Sequence, residues 1–531
     1  MTIDRGRRRL LVSTTALAGV SAFASWPPLA CAARLTDASE AFDFDQIIDR
    51  ARKAATRPYD KPEPRHTKLL DELGYDAFMG IHSRTSQALW AGEKQPFAVE
   101  FFHLDQNARD AVNIHVVANG RSRRVRYQPS LFRYDDPGVK ERLPEDLGFA
   151  GFRLIDQRSD GLEWLAFKGA SYFRSPGSLN QYGLSARGIA IDTGYGDGEQ
   201  FPRFSDYWLV KPEAGDESIT LYALLTGENI TGAYRMVCSR PGEVIMDIQA
   251  HLFQRTPVRR LGVAPLTSMF WFSETNARVG TDWRPEVHDS DGLAIHTGKG
   301  QRIWRALANP PRTHYSAFSD QGPRGFGLIQ RDRMFDHYQD PDVGFERRPS
   351  LWVEPNGDWG KGHIGLLELP TNEEIYDNVN AFWVPNGSES AGTAWQFDYR
   401  LLWTDRAPFP AGMARAVATR TGRAGEPGTY DQQAPTARKF VVEFDGGALG
   451  RLQAEAKPSI HVEASHGRIV NPYLSKITDS TRWHAFFDWT GSAPADDQPV
   501  ELRCYIAHDG TTLTETWTYA YFPEPLPGHD A

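Results

Sequence analysis

Cysteine is almost missing from this chain, with three in 531 residues, and no CxxC, HExxH or Cys/His cluster occurs. That leaves no thiolate or paired-histidine zinc site to expect, and neither a metal nor a cofactor is expected. There is no G-x-G-x-x-G or Walker loop and no strand–helix alternation, which excludes a nucleotide-binding βαβ unit. Basic residues are not in excess either. Lys and Arg total 59 against 68 Asp and Glu, a net charge of −9. Phosphate backbones require a basic face, so nucleic acid is excluded as a partner. No apolar run is long enough for a membrane span, and no repeat of 20–50 residues is visible.

What the chain does have is 15 Trp, together with 47 Gly and 35 Pro. Many turns and many large flat side chains suit a loop-rich β protein that handles an extended ligand. Residues 1–32 read as an export signal, with a basic start, a modest apolar middle and an Ala-rich end. Arg7, Arg8, Arg9, Leu10 and Leu11 resemble the twin-arginine type, with an ordinary secretory signal as the alternative. Either sends the protein to the periplasm or beyond. Cys31 sits in a poor lipobox, so lipidation is not expected. The two later thiols, Cys238 and Cys504, read as core residues, with a disulfide left open.

From about residue 95 the pattern is strand-like almost throughout. "FAVEFFHL", "SITLYALLT" and "EVIMDIQAHLF" are short aromatic and β-branched runs punctuated by Gly, Pro, Asp and Asn. Helical periodicity is confined to 42–57, 66–81 and brief stretches such as "LPEDLG". The fold class is therefore all-β. A first domain is expected over 33–405, and a Pro/Gly/Ala/Arg-rich linker over 406–437. The strand pattern restarts over 438–531, a length that fits an immunoglobulin-like sandwich.

Two acidic stretches carry the candidate chemistry. "RPEVHDSDGL" (284–293) sets His288, Asp289 and Asp291 together. The glycine follows the second aspartate too closely for a calcium loop. A tight Asp-Gly turn and half of a catalytic carboxylate pair both remain open. In "IYDNVNAFW", apolar neighbours surround Asp377, and partial desolvation would raise its pKa as a general acid requires. A turn-capping role with Asn378 is equally open. Between the two stretches lie Tyr338, Arg347, Trp352, Glu354 and Trp359, and Trp383 closes the second. These residue types hold sugars through flat rings and hydroxyl-bonding charges, although a single Trp in a β protein is more often core.

"DWRPEVHDSDGL", "RRPSLWVEPNGDWGKG", "LLELPT" and "DNVNAFWVP" resemble the periplasmic osmoregulated-glucan biosynthesis proteins D and G. The likeness covers nearly the whole mature chain, and the twin-arginine start favours the D branch. The resemblance implies a large galactose-mutarotase-like β-sandwich followed by an immunoglobulin-like domain. It implies β-1,2-glucan as partner and inverting cleavage, with Asp377 as general acid and Asp289 as base, acting directly or through a relay. Asn380 departs from the usual aliphatic residue of the motif and leaves the acceptor open: water gives hydrolysis, whereas a glucan hydroxyl gives transglycosylation. A non-catalytic glucan-binding factor is the alternative class. Monomer and homodimer are both left open.

Overall fold

Strand periodicity carries through into the computed structural model of the protein, which describes residues 36–524 apart from 37, 160, 278, 279, 389, 427–435, 454, 496 and 497. The expected export signal lies outside the described residues. Arg203–Val210, Ser218–Thr226, Ile230–Ser239 and Val244–Gln254 are successive antiparallel neighbours, and Ala394–Thr404 adds to the last of them. Among the described residues they belong to a sheet of 16 strands, beside a second sheet of 10. The second includes Leu261–Ser268, Val379–Pro385 and Lys361–Glu368 as neighbours. Leu221, Met236, Leu252 and Leu401 of the first sheet share one apolar core with Leu266, Leu366, Ala381 and Trp383 of the second.

Period-2 alternation decides which core each side chain enters. On Val379–Pro385, Val379, Ala381 and Trp383 face the inter-sheet core, whereas Phe382 and Val384 join Ala190 in a separate cluster. On Ser350–Asn356, Leu351 and Val353 face the first core. Trp352, one residue out of step, packs into another core with Trp304, Phe440, Trp489 and Trp517.

That other core joins the C-terminal strands to the first domain. Thr516–Tyr521 pairs in parallel with Arg302–Ala306, placing Trp517 beside Trp304, so the large sheet continues into the C-terminal region. Arg415–Arg423, inside the stretch expected to be linker, is instead a strand, paired with Arg438–Asp445. Its buried residues are small (Ala416, Thr419), so the alternation leaves almost no hydrophobic signal. Cys238 and Cys504 lie in the two different cores, free and buried, with burial raising both thiols.

The two longer helices form where periodicity predicts them, at Phe44–Ala55 and Thr67–Met79. In the first, the Asp43 side chain accepts from the Asp45 amide, and Ile47, Ile48 and Ala51 bury against Trp208 and Phe253. "LPEDLG" forms no helix; a short one precedes it at Pro137–Arg142. No helix among the described residues is long and apolar enough to cross a membrane.

Trp383 has no exposed surface. Trp383→Ala should therefore cost about 3–5 kcal/mol of stability in urea unfolding. A stability unchanged within about 0.5 kcal/mol would contradict its core placement.

Candidate active site

Where the pairing of Leu261–Ser268 with Val379–Pro385 runs out, at Ser268 opposite Val379, the chain continues through Met269 into the short strand Phe270–Phe272. This segment holds both candidate carboxylates. The Asn378 side chain accepts from the Phe270 amide at 2.8 Å and donates to the Phe270 and Leu369 carbonyls at 2.9 and 2.8 Å, fixing Asp377 next to it. On the other side, the Asp289 amide donates to the Met269 carbonyl at 2.8 Å, and the Ser290 and Ser268 hydroxyls bond at 2.7 Å. Asn378 thus takes the role of a bonded strand-end residue, which leaves Asp377 free for solvent.

The two carboxylates sit in different surroundings. Asp377 is exposed to solvent. Desolvation there raises its pKa, and the guanidinium groups of Arg174 and Arg348 only partly offset the rise. Asp289 is buried and ion-paired with Arg348. Arg348 stacks over the Phe345 ring at 4.2 Å. Burial, with Arg284 nearby, lowers its pKa to about 10 against the fields of Glu374 and Asp377. One guanidinium therefore couples both acids.

The loop that carries Asp377 is anchored from "RPEVHDSDGL" itself. Arg284 is buried and donates to both Asp282 oxygens at 2.8 Å, to Asp340 at 3.0 Å and to Glu374 at 2.6 Å. Around this knot three large apolar side chains stay exposed: Trp283 at 62%, Tyr376 at 58% and Ile375 at 55%. Trp283 and Tyr376 are directly adjacent in sequence to Arg284 and Asp377, and their flat faces are open to a ligand.

The other sequence-predicted residues are placed differently. His288 is fully buried, stacked on Phe270, with Nδ1 bonded to Gln330 at 3.0 Å and Nε2 to Glu286 at 3.0 Å. Burial pulls its pKa down, but Glu286, Asp291 and Glu274 outweigh that and raise it. Tyr338 is buried beside it, its hydroxyl accepting from Gln330 and donating to the Asp332 carbonyl. Both are scaffold, which corrects their reading as sugar contacts. Asp291 accepts from the Arg331 and Asp332 amides, and burial raises its pKa. No Asp-Gly hairpin forms. Gly292 begins the strand Gly292–His296, at a position where a Cβ would lie 2.1 Å from Trp304.

Trp352, Trp359 and Trp383 are core side chains and not platforms. Glu354 is half-buried, in register with Arg400 on the large sheet, about 13 Å along its strand from Ser350. Arg347 is exposed and pairs at 3.7 Å with Glu346, whereas its neighbour Arg348 faces the acids. Sequence reasoning thus chose Arg347 over its neighbour Arg348, and missed Arg174 and Trp283. The Arg doublet and "DWR" were visible, but nothing local says which member faces inward. Glu286, Asp332 and His337 bring ligand-type atoms within 4.8 Å of one another, but His337 and Asp332 already bond each other, and Glu286 bonds His288.

Comparison with known proteins follows this geometry. Residues 42–521 match the family model described as periplasmic glucan biosynthesis protein, MdoG. Glucans biosynthesis protein D 2 of Ralstonia nicotianae is 44% identical, covering 98% of each chain. Glucans biosynthesis protein D 1 of the same organism is 44% identical over 92% of each. A probable glucans biosynthesis protein D of Shewanella oneidensis is 42% identical over 94% of this chain and 92% of its own. A chondroitinase AC lyase structure covers 81% of this chain and 50% of its own at 8% identity and a TM-score of 0.15, too slight a likeness to bear on the fold. A family match that begins at the first long helix, ends with the last strand and takes in both acidic stretches leaves one conclusion: this chain belongs to the periplasmic glucan biosynthesis (MdoG) family.

Proposed function

We propose that this protein, within its family's role in periplasmic glucan biosynthesis, cleaves or transglycosylates β-1,2-glucan with inversion at the anomeric carbon. The observation that carries the reading is the pair of unlike carboxylates fixed to one backbone segment, Asp377 open with a raised pKa and Asp289 buried against Arg348. An inverting glycosidase needs one acid and one base in such contrasting environments. Asp377 protonates the departing glycosidic oxygen as the C1–O bond breaks. An acceptor hydroxyl, from water or another glucan, attacks C1 from the opposite face, and its proton passes to Asp289. Because Asp289 is buried, the proton travels through an intervening water. Arg348 positions Asp289, and Trp283 and Tyr376 offer platforms for sugar faces.

The same reading takes the paired sheets as a mutarotase-like sandwich and the C-terminal strands as immunoglobulin-like. It places the protein in the periplasm after twin-arginine export, on the strength of Arg7–Arg9 and Leu10–Leu11. A non-catalytic glucan-binding factor would use the same exposed aromatics without needing a pKa-shifted acid.

Incubation with linear β-1,2-glucan should change its size distribution and give products of inverted configuration. Asp377→Asn and Asp289→Asn should each lower the rate about 10²–10⁴-fold while retaining oligosaccharide binding. Binding without cleavage by the wild type would select the binding-factor class. Arg174→Gln removes a charge that lowers the Asp377 pKa. Since the acid must be protonated, the basic limb of the pH–rate profile should move to higher pH, and a shift downward would sink the assignment. Trp283→Ala should weaken oligosaccharide binding up to about tenfold with little loss of stability, whereas Trp352→Ala should do the reverse.

A further inference from the structure

A cavity that neither Asp377 nor Asp289 lines lies at the junction of the two cores, with a volume of about 320 Å³. It is lined by Arg302, Arg331, Arg333, Arg406 and Arg415 against only two carboxylates, Asp405 and Glu515. Arg331 is already matched: it bonds both Glu515 oxygens, at 2.5 and 3.1 Å, and the Ala416 carbonyl at 2.6 Å, lying over the Trp304 ring. Glu515 also acts on Arg302 and Arg415, and Asp291 on Arg333, but five arginines against two lining carboxylates leave the lining a net +3. Burial lowers the pKa values of Arg302, Arg333 and Arg415 against the opposing fields of Glu515 on Arg302 and Arg415 and of Asp291 and Asp405 on Arg333. Arg333 spends Nε on the Asp405 carbonyl and Nη1 on the Glu346 and Arg348 carbonyls. Its Nη2 is buried without a hydrogen-bond partner, as are the Nε atoms of Arg187, Arg305 and Arg348, so Arg333 contributes charge to the cavity and no free donor.

We infer that this cavity is a binding site for a small phosphate dianion, free or carried on a sugar. Guanidinium forks match phosphate oxygens in charge and geometry. The volume, roughly ten times a water's share of about 30 Å³, admits a phosphate with a small organic group. Ile295, Ile303, Phe409 and Val417 in the lining supply apolar surface for that group. The arginines come from both halves of the molecule, Arg302 from the strand Arg302–Ala306 and Arg415 from Arg415–Arg423, so the occupant ties the halves together. The site stands whether or not the glucan chemistry proposed above is correct.

The test is calorimetric titration of the purified full chain at pH 8 with inorganic phosphate, and separately with glucose 6-phosphate. Saturable binding is expected, weakened at least tenfold in Arg406→Gln and in Arg415→Gln. Phosphate should also raise the Tm of the wild type and not of these variants. Arg406 is exposed, so its variant folds even if Arg415→Gln does not. Tighter binding of glucose 6-phosphate would identify a sugar-borne phosphate, and equal affinities the free ion. No saturable heat with either probe, or binding unchanged in Arg406→Gln and in any folded Arg415→Gln, overturns the site.

Discussion

Everything about the candidate active site depends on how the backbone of Met269 and Phe270 is satisfied where two strands part. A sheet edge inside a protein must find partners for its N–H and C=O groups. Here those partners are the Asn378 amide on one side and the Asp289 backbone on the other. The bonds that prevent orphaned polar groups therefore also set the separation of two carboxylates that are nearly ninety residues apart in sequence. Arg348 then couples the acids electrostatically, and its stacking on Phe345 keeps it in place.

Charges are buried here at considerable desolvation cost, and the structure offsets part of that cost by pairing them. Arg284 meets three carboxylates, and Arg305 with Glu368 forms a pair without exposed side-chain surface. Glu368 also accepts from the Ala308 amide at 2.7 Å. These knots fix the loops leading to Asp377, since Glu374 and Glu368 both precede it on the same connection. The arginine-lined cavity stands apart. There five arginines line the space with two carboxylates.

Much of the architecture was legible along the chain. Short aromatic and β-branched runs marked the strands of the first domain, and "KFVVEF" and "TRWHAFFDW" marked those of the C-terminal region, at Arg438–Asp445 and Arg482–Thr490. Where small residues carried the alternation, as in Arg415–Arg423, the signal vanished and a strand read as linker. The tryptophans show a different limit. Alternation says that Trp352 and Leu351 point in opposite directions, but not that both faces of the strand are covered.

Sequence by itself determined the β class, the rarity of thiols, the family blocks and the two acidic stretches. These are local properties, written in residue type and spacing within a few positions. Tertiary structure alone decided that Asp289 faces Arg348 while Asp291 bonds backbone amides, and that His288 and Tyr338 are internal scaffold. It also decided that Trp283, and not the buried tryptophans, is open to a ligand. The reason is physical. Exposure and pKa are set by atoms brought close from distant parts of the chain, and no periodicity of a single strand encodes what packs against it.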